Sequence, residues 1–110
     1  MTETTGASVM LTFNVPPASE ERFVDWLLSS DVVTGFTSYA AYGHGANQDH
    51  LSVAEQVSGR QRRIEFRIQL PAETVDGVIG TLTTDFRGAD LFFVVTPVLR
   101  SGHLGEKHSE

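Results

Sequence analysis

Glycines at the two ends of one apolar segment are the first residues whose type and spacing suggest chemistry. Gly35-Phe36-Thr37 opens a stretch rich in β-branched and aromatic residues, and Tyr42-Gly43-His44-Gly45 closes it. Glycines at such positions let the backbone approach a ligand or let a loop pivot. A lone G-x-G lacks the third glycine and the helix start of a dinucleotide fingerprint, so a flexible loop mouth without a ligand is the alternative interpretation.

Arginine is concentrated in one part of an otherwise acidic chain. Residues 60–63 together with Arg67 contain four of the eight Lys and Arg residues, whereas the whole chain carries a net charge of −6. Arginine is suited to bidentate binding of phosphate or carboxylate. Strand alternation places Arg63, Glu65 and Arg67 on one face and Arg62 on the other. The alternative is a solvated strand start whose arginines pair with neighbouring glutamates.

Histidines are the candidate metal ligands. His44, Asp49 and His50 share one glycine-rich loop. Two histidines and a carboxylate can bind a zinc-like or copper-like divalent ion when such a loop folds back on itself. Their spacing matches no established ligand pattern, so exposed histidines without a partner are the alternative. His103 and His108 form a second pair in the C-terminal tail.

Catalytic motifs are missing from the sequence. It contains no cysteine, no G-x-S-x-G and no H-E-x-x-H, and its scattered carboxylates suit solvation and helix capping. We therefore do not expect an enzyme; a small enzyme of the dimeric ferredoxin-like barrel type is a third function class, which would need side chains that converge in space. The acidic charge argues against general nucleic-acid binding, and no apolar run approaches the ~20 residues of a membrane span.

Four segments have the residue patterns of β-strands. The first and third alternate between apolar and polar residues, as strands with one buried face do. The second is rich in β-branched and aromatic residues, and the fourth is an unbroken apolar run that predicts burial on both faces. In chain order they are Ser8–Val15, Val32–Tyr42, Arg63–Leu70 and Leu91–Val95. Residues 51–57 are either a further short strand or part of a long loop.

Helical spacing of apolar residues predicts two helices, at residues 18–29 and 71–86. The order β-α-β-β-α-β with right-handed crossovers predicts an α+β, ferredoxin-like sandwich, with an antiparallel sheet and both helices on one face. We expect one domain at residues 8–100, between a flexible N-terminus at 1–7 and a polar tail at 101–110. The sheet face without helices would carry Met10, Thr12, Asn14, Glu65, Arg67 and Gln69.

Taken in order, these segments resemble the nitrogen regulatory P-II superfamily, in a divergent P-II-like branch. Residues 35–45 look like the P-II strand that enters its mobile T-loop, and Arg63-Ile64-Glu65-Phe66 resembles the returning strand. Residues 71–76 are similar to the start of the second P-II helix, and residues 88–94 to the last strand. The resemblance extends over most of the chain.

With no cysteine and no signal-peptide pattern at its start, the chain is expected to be cytoplasmic. The resemblance implies a ferredoxin-like protomer in a homotrimer that serves signal transduction. It implies an adenine nucleotide or a similar anion in clefts between subunits. It also implies a T-loop-like segment at residues 43–59 that regulates a partner such as a membrane transporter or efflux pump. The ligand-binding residues predicted from the resemblance and from the arginine cluster are Gly35, Thr37, Gly43, Gly45, Arg62, Arg63, Gly88 and Arg100.

Some positions differ from the family pattern. Ala46-Asn47 stands where the family usually has an Arg-Gln pair, Leu91 replaces a usual basic residue, and residues 51–57 contain no tyrosine. The sequence therefore does not predict control by uridylylation. The main alternative function is a metal-binding accessory protein of heavy-metal homeostasis or efflux, related in fold to CutA-type proteins, with His44, Asp49 and His50 as ligands.

Overall fold

A computed structural model describes residues 7–44 and 60–105 of the chain. The elements follow the order β-α-β-β-α-β, so the expected α+β, ferredoxin-like arrangement is confirmed. A short 3-10 turn leads into each helix. The strands and helices are β1 (Ser8–Val15), α1 (Glu20–Ser29), β2 (Thr37–Gly43), β3 (Gln61–Pro71), α2 (Val75–Asp85) and β4 (Phe92–Val98).

The four strands form one antiparallel sheet in the order β2-β3-β1-β4. The register places Phe13 of β1 between Phe66 of β3 and Phe93 of β4. It also gives the sheet two distinct ends. We call the end at which β1 and β2 finish and β3 and β4 begin the loop end, and the opposite one the far end. Gly43 and Gln61 are paired at the loop end.

The core lies between the helices and one sheet face, and aromatic rings occupy its centre. The Phe23 ring of α1 lies 5.1 Å from Phe13, 4.9 Å from Phe66 and 5.5 Å from Phe86, measured between ring centroids. Phe23 and Phe66 are both fully buried. Burial of each such side chain contributes about 1.5–3 kcal/mol, so this cluster fixes α1 and the end of α2 on the sheet.

The opposite face, which we call the rear sheet face, carries the predicted polar residues. Cross-strand pairs on it join Met10 to Gln69, Thr12 to Arg67 and Asn14 to Glu65. Alternation along the neighbouring strands adds residues of β2 and β4 to the same face. These additional residues are Thr37, Tyr39, Ala41, Phe92, Val94 and Thr96.

The expectation that the last strand is buried on both faces is wrong for the single chain. β4 forms an edge of the sheet, and Phe92, on the rear sheet face, is 63% exposed. Phe93 and Val95, which point toward the helices, are 43% and 40% exposed. An unbroken apolar run indicates that both faces of a strand are to be buried, but it does not indicate whether the surface that buries them belongs to the same chain.

Several element boundaries also differ from those predicted; α2, for example, begins at Val75 instead of residue 71, because Ala72–Thr74 forms a 3-10 turn. β2 begins at Thr37 instead of Val32, because residues 33–36 approach the sheet as irregular backbone. α1 begins at Glu20, since Pro17–Ser19 forms the preceding 3-10 turn. The uncertain strand at residues 51–57 lies outside the described part of the chain. Among the described residues, neither helix is long and apolar enough to cross a membrane.

Candidate functional site

At the loop end, the structure brings together Gly43, Arg62, Arg63 and the residues that precede β4. Gly43 is the last residue of β2, and a methyl group added to it would lie 3.6 Å from Cγ of Arg63. Strand alternation puts Arg62 and Arg63 on opposite faces of β3, as the sequence predicted. Arg62 is exposed, whereas Arg63 is only 4% exposed.

The guanidinium of Arg63 is held by four hydrogen bonds to two residues. Its Nε donates to Oδ1 of Asn14, and Nη2 donates to the Asn14 carbonyl oxygen at 3.1 Å. Nη2 also donates to the Asp90 carbonyl oxygen at 2.6 Å, and Nη1 to Oδ2 of Asp90 at 3.3 Å. We call these three residues the Arg63 cluster. It ties β3 to the end of β1 and to the segment before β4.

A chain of side-chain hydrogen bonds extends from the Arg63 cluster across the rear sheet face to β2. Nδ2 of Asn14 donates to Oε2 of Glu65 at 3.1 Å, and the Tyr39 hydroxyl donates to Oε1 of Glu65 at 2.7 Å. This hydrogen bond, assisted by partial burial and by the negative charge of Glu65, raises the pKa of Tyr39 above its ordinary value of 10.0. The chain therefore links β2, β3 and β1 in one polar row.

Gly88 lies in the turn between α2 and β4, which we call the Gly88 loop (residues 86–91). Its φ of 87° is in the left-handed region, which favours glycine, and the Ala89 amide donates to the Phe86 carbonyl across the turn at 3.0 Å. The Leu91 amide donates to the Ala89 carbonyl at 3.0 Å. Beneath the loop lies an apolar cavity of about 330 Å³ between α2 and β4, whose lining includes Phe13, Leu82 and Phe93.

A second cavity at the loop end lies on the helix side of the sheet. It measures about 280 Å³ and is lined by residues of β2 and β3, among them Tyr42 and Arg62, together with Glu20 of α1. The guanidinium of Arg60 stacks over the Tyr42 ring at 4.1 Å from its centroid. Arginine and tyrosine side chains thus border this cavity beside the start of segment 45–59.

The remaining predicted ligand residues lie toward the far end. Gly35 precedes β2, Thr37 is its first residue, and Arg100 follows β4 by two residues. Nearby, Nε2 of Gln69 donates to the hydroxyls of Ser8 and Ser101 at 3.0 and 2.8 Å, which fixes the C-terminal segment beside β1. A cavity of about 480 Å³ lies next to this contact, lined by residues that include Ser101 and His103.

The predicted metal site falls mostly outside the described residues. His44 is described and exposed, but Asp49 and His50 are not described, and neither is Gly45. Within residues 7–44 and 60–105, no group of three histidine or carboxylate side chains is arranged to hold a metal ion. The described part of the chain therefore adds no support to the metal-binding alternative.

Residues 5–105 match the sequence profile of DUF3240, described as a protein of unknown function. The chain belongs to the DUF3240 family. A crystal structure of a DUF3240 family protein from Shewanella baltica OS155 superimposes with a TM-score of 0.74 at 16% identity, covering 91% of this chain and 99% of that one. No curated protein matches this DUF3240 chain in sequence.

PII-like proteins share the same fold. CPII, a nitrogen regulatory PII-like protein from Thiomonas intermedia K12 with bound ADP, AMP and bicarbonate, gives a TM-score of 0.65 at 19% identity, covering 88% of this chain and 94% of that one. GlnK from B. subtilis in its ATP complex gives 0.61 at 19% identity, covering 86% and 87%. The expected resemblance to the P-II superfamily is thus confirmed at the level of the fold.

The sequence pattern does not select Asn14 and Asp90, two of the residues that organise the loop end. It places Asn14 and Glu65 on the rear sheet face and offers Glu65 as a partner of the arginines, whereas in the structure Glu65 accepts from Asn14 and Tyr39. The signal for Asn14 is weak, since the same face of β1 also carries Met10 and Thr12, and alternation marks all three residues equally. A partly buried amide in such a place needs hydrogen-bond partners.

Proposed function

We propose that this DUF3240 protein is a PII-like regulatory protein of the cytoplasm, and not an enzyme. It forms a homotrimer and binds an adenine nucleotide or a similar anion in clefts between subunits. Through segment 43–59 it regulates a partner such as a membrane transporter. The fold supports the PII-like part of this proposal, and the relatives that share it are described as nitrogen regulatory and as bound to ADP, AMP or ATP.

The proposed cleft is supported by the positions of the predicted ligand residues, which lie at two opposite ends of the sheet. Gly43, Arg62 and Gly88 belong to the loop end, whereas Gly35 and Arg100 belong to the far end. β2 alone, whose seven residues run from Thr37 to Gly43, separates these ends by about 20 Å. A single small anion contacts the residues of both ends when the loop end of one copy faces the far end of another. The positions of these residues therefore support a cleft that is shared between copies.

The binding experiment is titration calorimetry of the unmodified protein with ATP, ADP, AMP and cyclic AMP. A buried contact between phosphate and arginine contributes about 1.5–3 kcal/mol, so Arg62→Ala or Arg100→Ala should weaken binding about tenfold or more. Absence of binding to all four nucleotides would rule out the adenine-nucleotide form of the proposal.

Mixing the two variants tests whether the cleft is shared between copies. When Arg62→Ala and Arg100→Ala chains are refolded together, some clefts receive Arg62 from one copy and Arg100 from the other. Random mixing in a cyclic trimer makes about a quarter of the clefts complete, so high-affinity binding should return at that level. A site built within one chain would show no recovery on mixing, and that outcome would contradict the proposed clefts.

A further inference from the structure

The guanidinium of Arg63 has little capacity left for a ligand. A guanidinium carries five N–H donors, and the Arg63 cluster uses four hydrogen bonds to Asn14 and Asp90. The side chain is only 4% exposed. To grip a phosphate or carboxylate in bidentate fashion, it would have to release bonds that it already makes.

The bonds of Arg63 instead fix the Gly88 loop. The Asp90 carbonyl and carboxylate oxygens accept at 2.6 and 3.3 Å, and Asp90 lies two residues after Gly88. On the other side, the same guanidinium holds the end of β1 through the Asn14 carbonyl at 3.1 Å. The Gly88 loop is therefore joined to the sheet through Arg63 as well as through the backbone that enters and leaves it.

We infer that Arg63 is a positioning residue, which holds the Gly88 loop in place for an anionic effector, and not itself a ligand of that effector. The inference rests on the proposed binding of an anion beside this loop. It assigns Arg63 a different role from Arg62, although the two are adjacent in sequence. The buried arginine fixes the backbone that approaches the anion, and the exposed one lies beside the neighbouring cavity.

Substitution of Asn14 tests this inference, because Asn14 is uncharged and its removal alters the hydrogen bonds of Arg63 without altering the charge of the protein. Its Nδ2 donates to Glu65 at 3.1 Å, which turns its Oδ1 toward Nε of Arg63. If Arg63 acts by position, removal of the Asn14 amide should disturb the Gly88 loop without any change in charge. If Arg63 is instead a direct ligand, the same removal frees a donor for the anion and should leave binding unchanged or strengthen it.

The first experiment is hydrogen exchange of the amides of residues 88–91 in the Asn14→Ala and Arg63→Lys variants of the full chain. Loss of hydrogen bonds of this kind should speed their exchange about three- to tenfold. Lysine keeps the positive charge but lacks the planar guanidinium with its several N–H donors, so the amides of residues 88–91 should remain less protected in Arg63→Lys than in the unmodified protein. Arg67→Gln, which removes a charge from the same face of β3, should leave exchange in residues 88–91 unchanged. Circular dichroism and light scattering verify that each variant keeps the fold and mass of the unmodified protein.

The second experiment measures binding of ADP and ATP by the same variants. We expect Asn14→Ala and Arg63→Lys to weaken binding about three- to tenfold. Unchanged exchange at residues 88–91 in both variants would overturn the inference, and so would faster exchange with unaltered nucleotide affinity. If the unmodified protein binds no nucleotide, the proposed function fails, and exchange alone then decides whether Arg63 holds the loop.

Discussion

The hydrogen bond from Tyr39 to Glu65 affects the pH at which the Tyr39 hydroxyl loses its proton. This contact raises the pKa of Tyr39, because the neutral hydroxyl donates to the carboxylate whereas a phenolate would be repelled by it. The folded state therefore favours the protonated form. The resulting stabilisation is fully present below pH 10, the ordinary pKa, and is lost as the pH rises through the higher pKa of the folded state.

The two tyrosines of the chain make this prediction measurable by tyrosinate absorbance. In a Tyr42→Phe variant only Tyr39 titrates, and its midpoint should lie above the ordinary value. Adding Glu65→Gln should move the midpoint down toward that value, because the negative charge is removed. An identical midpoint in the two variants would contradict the assigned cause.

At the residue scale, the sequence predicts on which face a side chain lies better than it predicts its contacts. Alternation correctly separated Arg62 from Arg63. It could not reveal that Arg63 is bound by Asn14 and Asp90, which are 49 and 27 residues away in sequence. Those contacts depend on the register between β1 and β3 and on the path of the Gly88 loop, and neither follows from periodicity.

At the scale of elements, two glycines of the α2 region should have opposite effects on stability when they are replaced by alanine. Gly88 has a φ of 87° in the turn after the helix, whereas Gly80 lies within α2. A methyl group added at either position meets nothing within 4 Å, so only the backbone conformation distinguishes them. Gly88→Ala should destabilise the protein by about 1–2 kcal/mol because an L side chain is strained in the left-handed region.

Gly80→Ala is the matched control and should stabilise the protein by about 0.5–1 kcal/mol, since alanine loses less backbone entropy in a helix. Urea unfolding of both variants measures the free energies of unfolding. Equal shifts in the same direction would show that the turn conformation does not determine the effect of Gly88.

β4 shows where prediction of an element needs more than its own sequence. Its apolar run correctly indicated a strand, but the same run also suggested burial on both faces. Among the described strands β4 pairs with β1 alone, and the side chains of Phe92 and Val94 are 63% and 42% exposed on the rear sheet face. Local composition predicts that the segment forms a strand, but it does not predict whether the surface that packs on its two faces belongs to the same chain or to another copy.

At the scale of the whole molecule, the rear sheet face is the surface that the proposed trimer would cover. Phe92 and Val94 are exposed there, and the Tyr39 side chain beside Glu65 is 44% exposed. The exposed apolar side chains of β4 lie along one side of this face, and exposed apolar patches are typical of interfaces between proteins. The apolar residues supply the burial, and the polar row from Tyr39 to the Arg63 cluster has its hydrogen bonds satisfied within the chain.

Assembly through the rear sheet face predicts a light-scattering mass of about 36 kDa for a chain of 12.0 kDa. Val94→Glu should convert this species into a folded monomer, because a carboxylate buried without a partner costs several kcal/mol per copy. Leu28→Glu, at a residue of α1 that is 71% exposed on the helix side, should keep the larger mass. A monomeric mass for the unmodified protein at micromolar concentration would exclude the trimer. Loss of the larger mass in Leu28→Glu, with Val94→Glu unaffected, would move the interface from the rear sheet face to the helix side.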